Sequence, residues 1–356
     1  MGLSSSSSSS SVPLLLILLL LTTLATKSAS QPFKCTTSST CRSLIDFVSP
    51  NATTISAVKD LFSIKNLRTI LGANNLPPST SPHLSIAAQQ TIKIPFACIC
   101  INGTGVSNKR PTYKVVTGDG LDHIAREVFS GLMTYQQIAK INGIPDPNMI
   151  RVGQELWIPL PCSCEDVGGE KVVHYGHIVE SGSTLELIAQ EYGTTRSTVM
   201  SLNGIANDSS LLAGQVLDVP LRACNSWVSS TSADYPLLVP NGTYVFTANS
   251  CVKCKCNAAN NWTLECEPSG LPPAANSSWS TCPSMLCDQT TLSLSNTTTT
   301  SGCNTSTCSY SGFSNQTIMT TLSTCPASDN YGTTISLSWK YMLIALHLVM
   351  LIVYPL

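Results

Sequence analysis

The amino-acid sequence predicts an α+β protein: three tandem βααβ modules tied by disulfides, followed by a small Cys-rich domain and a Ser/Thr-rich stalk. A short block carries much of that reading. Ile94-Pro95-Phe96-Ala97-Cys98-Ile99-Cys100 returns as Ile158-Pro159-Leu160-Pro161-Cys162-Ser163-Cys164, and Val219-Pro220-Leu221, with Cys224 beyond it, closes a third segment of similar length. Self-similarity at this period marks an array of units, each too small to bury a core alone. The chain also holds 16 cysteines, an even number as complete oxidation requires.

The second module, 112–160, shows the pattern most clearly. Tyr113-Lys114-Val115-Val116 alternates as a strand and ends at the turn Thr117-Gly118-Asp119-Gly120. Leu121, Ile124, Ala125 and Val128 recur at helical spacing, and Asp122 complements the helix dipole. Gly131 interrupts the pattern, and Thr134 caps a second helix with Ile138, Ala139 and Ile141 on its inner face. Asn142-Gly143 ends that helix, Pro145 and Pro147 forbid its continuation, and Glu155-Leu156-Trp157-Ile158 is the closing strand. The third module, 175–221, repeats the series. Gly182, Leu185, Ile188 and Ala189 match Gly118, Leu121, Ile124 and Ala125, and Asn203-Gly204 and Gly214-Gln215 match Asn142-Gly143 and Gly153-Gln154. A diverged copy fills 41–98. Ala57, Val58, Leu61 and Phe62 form its first helix, Leu67, Ile70 and Leu71 its second, and Thr91 to Ile94 its closing strand.

Both ends read as processing signals. Val12 to Leu21 is an apolar run of about ten residues, too short to span a bilayer and suited to a signal-peptide core. Small residues at Ser28 and Ser30 offer a cleavage site, so 1–30 is expected to be removed, leaving Gln31 first. Tyr341 to Leu356 is apolar apart from His347 and follows a small, polar spacer. That order is a GPI-attachment signal, removed as 333–356, with Gly332, or else Asn330 or Ser328, as the lipid-bearing residue. Nine Asn-x-Ser/Thr sequons are then expected glycosylation sites: Asn51, Asn102, Asn207, Asn241, Asn261, Asn276, Asn296, Asn304 and Asn315. Localisation follows as the extracellular face of the plasma membrane.

Composition narrows the function. Charged residues are 11% of the chain, against about 25% in ordinary domains. With Lys27 and Lys340 in the processed ends, 17 Lys and Arg remain against 20 Asp and Glu. No basic stripe exists, so nucleic acid is not an expected partner. The region 224–325 is poor in acids and lacks histidine, which leaves no general acid–base pair for an attached hydrolase. His123, His174 and His177 lie within or between modules, and His177, at the position of Tyr113, is expected on a strand face. Cys251-x2-Cys254 has zinc-like spacing but no histidine pair, so disulfides are expected, with no metal or cofactor. Six cysteines around the modules, Cys35, Cys41, Cys98, Cys100, Cys162 and Cys164, allow fifteen connectivities.

The ordered set of Gly-Asp-x-Leu, two short helices, Asn-Gly-Ile, Gly-Gln and Ile-Pro-Leu resembles the LysM module. Three such modules separated by Cys-x-Cys resemble the extracellular part of plant LysM receptors, and most of all the GPI-anchored chitin elicitor-binding class. The stretches that carry this are Ser49-Pro50-Asn51-Ala52-Thr53-Thr54, Leu71-Gly72-Ala73-Asn74, Asp119-Gly120-Leu121-Asp122, Thr134-Tyr135-Gln136 and Asn241-Gly242-Thr243-Tyr244. The resemblance implies pairs Cys35–Cys100, Cys41–Cys164 and Cys98–Cys162, and a chitin-binding groove between two loops of a module. In the second module those loops are Gly118, Asp119, Gly120 and Leu121 on one side, with Ile144, Pro145, Asp146, Pro147, Asn148 and Ile150 on the other. By spacing alone the default reading of these residues is ordinary turns, and it is the resemblance that favours binding. The third module carries the Asn207 sequon in its second loop, where a glycan would crowd a ligand, and the first lacks the Gly-Asp-x-Leu loop and reads as structural. The resemblance further implies an innate-immunity receptor, not an enzyme, signalling through a LysM receptor-like kinase, with a homodimer forming on long ligands. A peptidoglycan sensor and a structural wall-adhesion protein are the alternatives.

Overall fold

The computed structural model describes residues 33–36, 39–275, 277–287, 290–300 and 304–325. The signal peptide 1–30, the candidate lipidation residues Ser328, Asn330 and Gly332, the segment 333–356 and the Asn276 sequon lie outside the described residues. Among the described residues no helix is long and apolar enough to cross a membrane. Two compact units are present. One holds the described residues through Asn225 with Leu237–Phe246 and Lys253–Leu264; the other holds Ser226–Pro236, Thr247–Val252 and the described residues from Glu265.

In the first unit, the segment Thr40–Ile101 runs β1 (Thr40–Val48), β2 (Thr53–Thr54), α1 (Ile55–Leu61), α2 (Leu67–Ala73), β3 (Ser85–Ile86) and β4 (Thr91–Ile101), followed by β5 (Thr104–Ser107). The second βααβ series is β6 (Thr112–Lys114), α3 (Leu121–His123) running into a π-turn at Ile124–Val128, α4 (Tyr135–Ile141) and β7 (Glu155–Trp157). The third is β8 (Val172–Ile178), α5 (Leu185–Glu191), α6 (Arg196–Asn203) and β9 (Val216–Arg222). Helices this short are unstable in isolation and depend on caps and packing. Thr54, Thr134, Thr184 and Thr195 each accept a hydrogen bond from the amide three residues on, and Gln137 completes a capping box with Thr134. The π-turn departs from the regular first helix that the spacing predicts, and Phe129, just past it, is fully buried.

One interaction recurs in all three series. The asparagine that closes each second helix uses its carboxamide to tie the helix to the closing strand. Asn142 Nδ2 donates to the carbonyls of Ile138 and Trp157, both at 2.8 Å, and its Oδ1 accepts from Trp157 N at 2.9 Å. Asn74 does the same with Ile70 and Lys93, and Asn203 with Val199 and Asp218. The next residue takes a left-handed backbone, as Asn75 (φ 51°), Gly143 (φ 63°) or Gly204 (φ 62°). Glycine and asparagine are the residues that adopt this most cheaply.

Modules one and three share a sheet, in the order β5-β4-β1-β8-β9, whereas β6 and β7 form a separate pair. The seam is the parallel pairing of β1 with β8 at Leu44–Tyr175 and Ile45–Gly176. Asp46 is buried there and accepts from the Tyr175 hydroxyl, from His177 Nδ1 at 3.0 Å and from Ile178 N at 3.1 Å. His177 therefore lies on a strand face with a structural partner. Modules one and two instead share a hydrophobic core, threaded by edge-to-face contacts Phe47–Phe62, Phe62–Phe129 and Tyr113–Phe129 at 5.0, 5.7 and 5.9 Å. Disulfides join Cys35–Cys100, Cys41–Cys164 and Cys98–Cys162, bracing β1, β4 and the segment after β7. Cys224–Cys256 lies in the same unit.

Two quoted motifs meet in this unit. A Cβ on Gly72 would come within 2.2 Å of the Tyr244 carbonyl, and the Tyr244 hydroxyl donates to Leu76 O at 2.6 Å. Strands β10 (Thr243–Thr247), β11 (Val252–Cys256) and β12 (Leu264–Pro268) follow β9 in the chain. The second unit contains β13 (Thr297–Thr300), β14 (Asn304–Phe313) and β15 (Ile318–Cys325) as an antiparallel sheet, so ordered strands run through Ser/Thr-rich sequence as far as Cys325. Cys251–Cys282 and Cys287–Cys308 are bonded there.

Replacing Asn142 with Ala removes three hydrogen bonds and leaves half-buried partners unsatisfied. It is expected to cost about 2–3 kcal/mol in denaturant unfolding, while exposed Lys140→Ala changes little. A pH effect is also expected. His174 is 1% exposed, with Nδ1 2.8 Å from Asp218 Oδ1 and Nε2 2.8 Å from the Glu165 carbonyl, so both ring nitrogens face acceptors. Burial pulls the imidazole down, but the Asp218 carboxylate and the Glu165 carbonyl outweigh it and hold its pKa above the ordinary 6.5. A raised folded-state pKa gives stability that is fully present below the unfolded value and is lost as pH rises through the folded one. Thermal melts across mildly acid to mildly alkaline buffers are expected to show that loss, and His174→Gln to flatten it.

Candidate carbohydrate site on the second module

Strand β6 ends where β7 begins, because Lys114 pairs with Glu155. The loop after β6 and the loop before β7 therefore leave the same end of one hairpin-like pair. Their bases are joined by Val115 N to Gln154 O at 2.9 Å and Gly153 N to Val115 O at 2.8 Å.

The first loop is locked by its own carboxylate. Asp119 Oδ2 accepts from the Tyr113 hydroxyl at 3.0 Å and from Val116 N at 2.8 Å, and the Asp119 side chain is only 3% exposed. Burial, reinforced by Asp119, pushes the Tyr113 phenol up to about 12, so it remains a donor. Gly118 takes φ +94°, a conformation that favours glycine. The second loop is an Asx turn: Asp146 Oδ1 accepts from Asn148 N at 2.9 Å and Nδ2 at 3.0 Å, and Met149 N returns to Asp146 O at 2.9 Å. Pro145 and Pro147 restrict the backbone around it.

The structure divides the expected site residues by what they expose. Gly118, Gly120, Pro145, Pro147 and Asn148 line the two loops at or near the surface. Leu121 is 2% exposed and belongs to the core, and the Asp119 carboxylate is committed to Tyr113 and Val116, so neither side chain is available to a ligand. Ile144 and Ile150 are half-buried against the core shared with the first module. The apolar surface comes instead from Val116, Met149 and Val152, 54%, 67% and 67% exposed. Among the described residues, the amides of Thr117, Gly118 and Ile150 meet no hydrogen-bond partner.

Sequence reasoning missed that apolar trio, although the repeat register contains it. The third module has Glu180, Ser210 and Ala213 at the positions of Val116, Met149 and Val152. Its frame is otherwise alike, with Gly214 N donating to Val179 O at 2.8 Å. Asn207 is exposed in its second loop. In the first module, Pro50, Asn51, Ala52 and Thr53 line a cavity of about 390 Å³ together with His123, Glu127 and other residues. Among the described residues, the His, Cys, Asp and Glu groups close enough to share a metal ion are Cys35, Cys41, Cys98, Cys100 and Cys164, all disulfide-bonded.

A family model for the LysM domain matches residues 113–159 and 177–220. LysM domain-containing GPI-anchored protein 2 of Arabidopsis thaliana is 48% identical over 90% of this chain and 91% of the relative. The chain belongs to the plant LysM domain-containing GPI-anchored proteins. Another relative, the chitin elicitor-binding protein of Oryza sativa subsp. japonica, is 42% identical, with 90% of this chain and 91% of the relative covered. The two matched LysM segments take in both helices of the second and third βααβ series and most of their closing strands, and the clamp at Asn74 repeats in Thr40–Ile101 the joint found at Asn142 and Asn203.

These placements separate two neighbouring side chains. Met149→Asp is expected to weaken sugar binding by about tenfold with no loss of thermal stability, since its side chain is mostly in water. Ile150→Asp is expected to lower both, because it puts a carboxylate against the core. Calorimetric titration and thermal melting of the two variants check this.

Proposed function

We propose that this protein is a cell-surface receptor that binds chitin oligosaccharides through the second module. The observation that carries the reading is the combination, on one pair of loops, of three exposed apolar side chains with unpartnered backbone amides. An N-acetylglucosamine unit matches both. Its acetamide carbonyl needs a donor and its methyl and ring C–H groups need apolar surface. The third module has a similar frame without the apolar trio, so the second is the principal site. The printed name of the rice relative, chitin elicitor-binding protein, supports the same ligand.

The names of the relatives also support attachment to the outer face of the plasma membrane through a GPI lipid. Signalling then passes to a LysM receptor-like kinase. A chitin chain long enough to engage two protomers brings the partners together, because one open surface binds weakly and a polymer offers many repeats. This is a binding role in innate immunity, with no catalytic step assigned to the chain.

Calorimetry of the glycosylated ectodomain against chitin oligomers and soluble peptidoglycan fragments tests the reading. Affinity that rises with chitin length, with no binding of peptidoglycan fragments, is expected. Binding of peptidoglycan alone would make the protein a peptidoglycan sensor, and length-independent binding to insoluble polymer would make it a wall-adhesion protein.

A further inference from the structure

The C-terminal unit contains a cavity of about 940 Å³ whose lining carries no charged side chain. Trp279 and Phe313 form its aromatic wall, with ring centroids 5.9 Å apart and planes at 77°. Asn249, Ser278, Asn315 and Gln316 contribute neutral polar groups to the rim. Aromatic faces bordered by amides and hydroxyls, without charge, suit a neutral pyranose. Its ring C–H groups pack on the aromatic faces and its hydroxyls and acetamide meet the rim.

The strand register shows where such a sugar would come from. Phe313 pairs with Ile318 at the tip of the β14–β15 hairpin, leaving Ser314–Thr317 as the connecting loop. Ser314 N donates to Thr317 O at 2.9 Å, and the two hydroxyls lie 3.0 Å apart. Asn315-Gln316-Thr317 is a sequon, with Phe313 two residues before its asparagine. Trp279 Nε1 donates to the Asn315 carbonyl at 2.6 Å, which holds the backbone of the acceptor residue against the edge of the indole. Asn315 itself is exposed. A sugar on its side chain thus starts at the mouth of the cavity, beside both rings.

We propose that Asn315 is N-glycosylated and that its first N-acetylglucosamine seats in this cavity against Phe313 and Trp279, making the glycan an internal brace of the C-terminal unit. In the transfer, Asn315 Nδ2 forms a bond to the sugar C1. The bond from C1 to the diphosphate of a lipid-linked oligosaccharide donor breaks, the lipid diphosphate leaves, and one proton departs from Nδ2; nothing is oxidised or reduced. The seat needs only the first sugar, so the remaining glycan can project into solvent.

Three forms of the ectodomain secreted from cells that make only oligomannose glycans test the proposal: untreated, trimmed by endoglycosidase to a single N-acetylglucosamine, and fully deglycosylated by amidase. Peptide mass spectrometry reads occupancy at Asn315, and hydrogen exchange reads the hairpin amides of Phe313–Ile318. The expected result is occupancy, with equal protection in the untreated and trimmed forms and exchange faster by about fivefold in the fully deglycosylated one, the scale of one or two aromatic contacts. Phe313→Ser is expected to abolish the difference between trimmed and fully deglycosylated protein. Should that variant fail to fold, Asn315→Gln made in the same cells reports the same loss. An unoccupied Asn315, or exchange unchanged on full deglycosylation, overturns the proposal. So does protection of the Asn315→Gln hairpin by added chitobiose, which would make the cavity a site for outside sugar.

Discussion

The carboxamide clamp at the end of each second helix is the joint on which the modules depend. A βααβ unit this small has little core of its own, and its helices are a turn or two long. One asparagine adds a second donor to a carbonyl in the last turn of the helix and pairs with both backbone groups of a single residue in the closing strand. The chain between them is then a closed loop of fixed ends. In the second module that loop is the one bearing Met149 and the open Ile150 amide. The bonds that close the fold of the module therefore also hold this loop at both ends, so it is ordered by the chain itself.

The three modules do not play equal parts. The first and third are fused edge to edge through β1 and β8, with the Asp46 carboxylate buried at the seam and fully engaged by Tyr175, His177 and the Ile178 amide. A buried carboxylate costs stability unless it is paired this completely, and the pairing fixes which strands meet. The second module stays outside the common sheet, held by the shared aromatic core and by the Cys98–Cys162 disulfide. Its loop end thus stays outside that sheet, with Val116, Met149 and Val152 exposed.

Much of this was legible in the sequence because the repeats calibrate one another. The helix positions, the Thr134 cap and the exit at Asn142-Gly143 follow from spacing and from turn chemistry. The clamp was not legible, because the strand partner of each asparagine lies 15 or 19 residues away and is reached through backbone atoms, which leave no mark in a side-chain pattern. The β1–β8 seam joins residues 129 apart, beyond any local periodicity. At the site, glycine and proline announced the loops but not which side chains they would turn outward. The resemblance implies Ile150 as a site residue, yet packing draws it inward and leaves Met149 in water. The repeat register itself contains the contrast of Val116, Met149 and Val152 with Glu180, Ser210 and Ala213. In the tail, threonine-rich strands carry almost no apolar alternation, so β13 to β15 read as stalk, although Cys308, Tyr310 and Ile318 are buried there.

We propose that the disulfide-braced first unit presents one sugar-reading surface, on the second module. Hydrogen exchange of the glycosylated ectodomain with and without a long chitin oligomer tests it most directly. New protection is expected to be confined to residues 116–121 and 144–152, with 49–54, 181–184 and 205–213 unchanged. Protection centred on the loops of the first or third module, with the second silent, would contradict it.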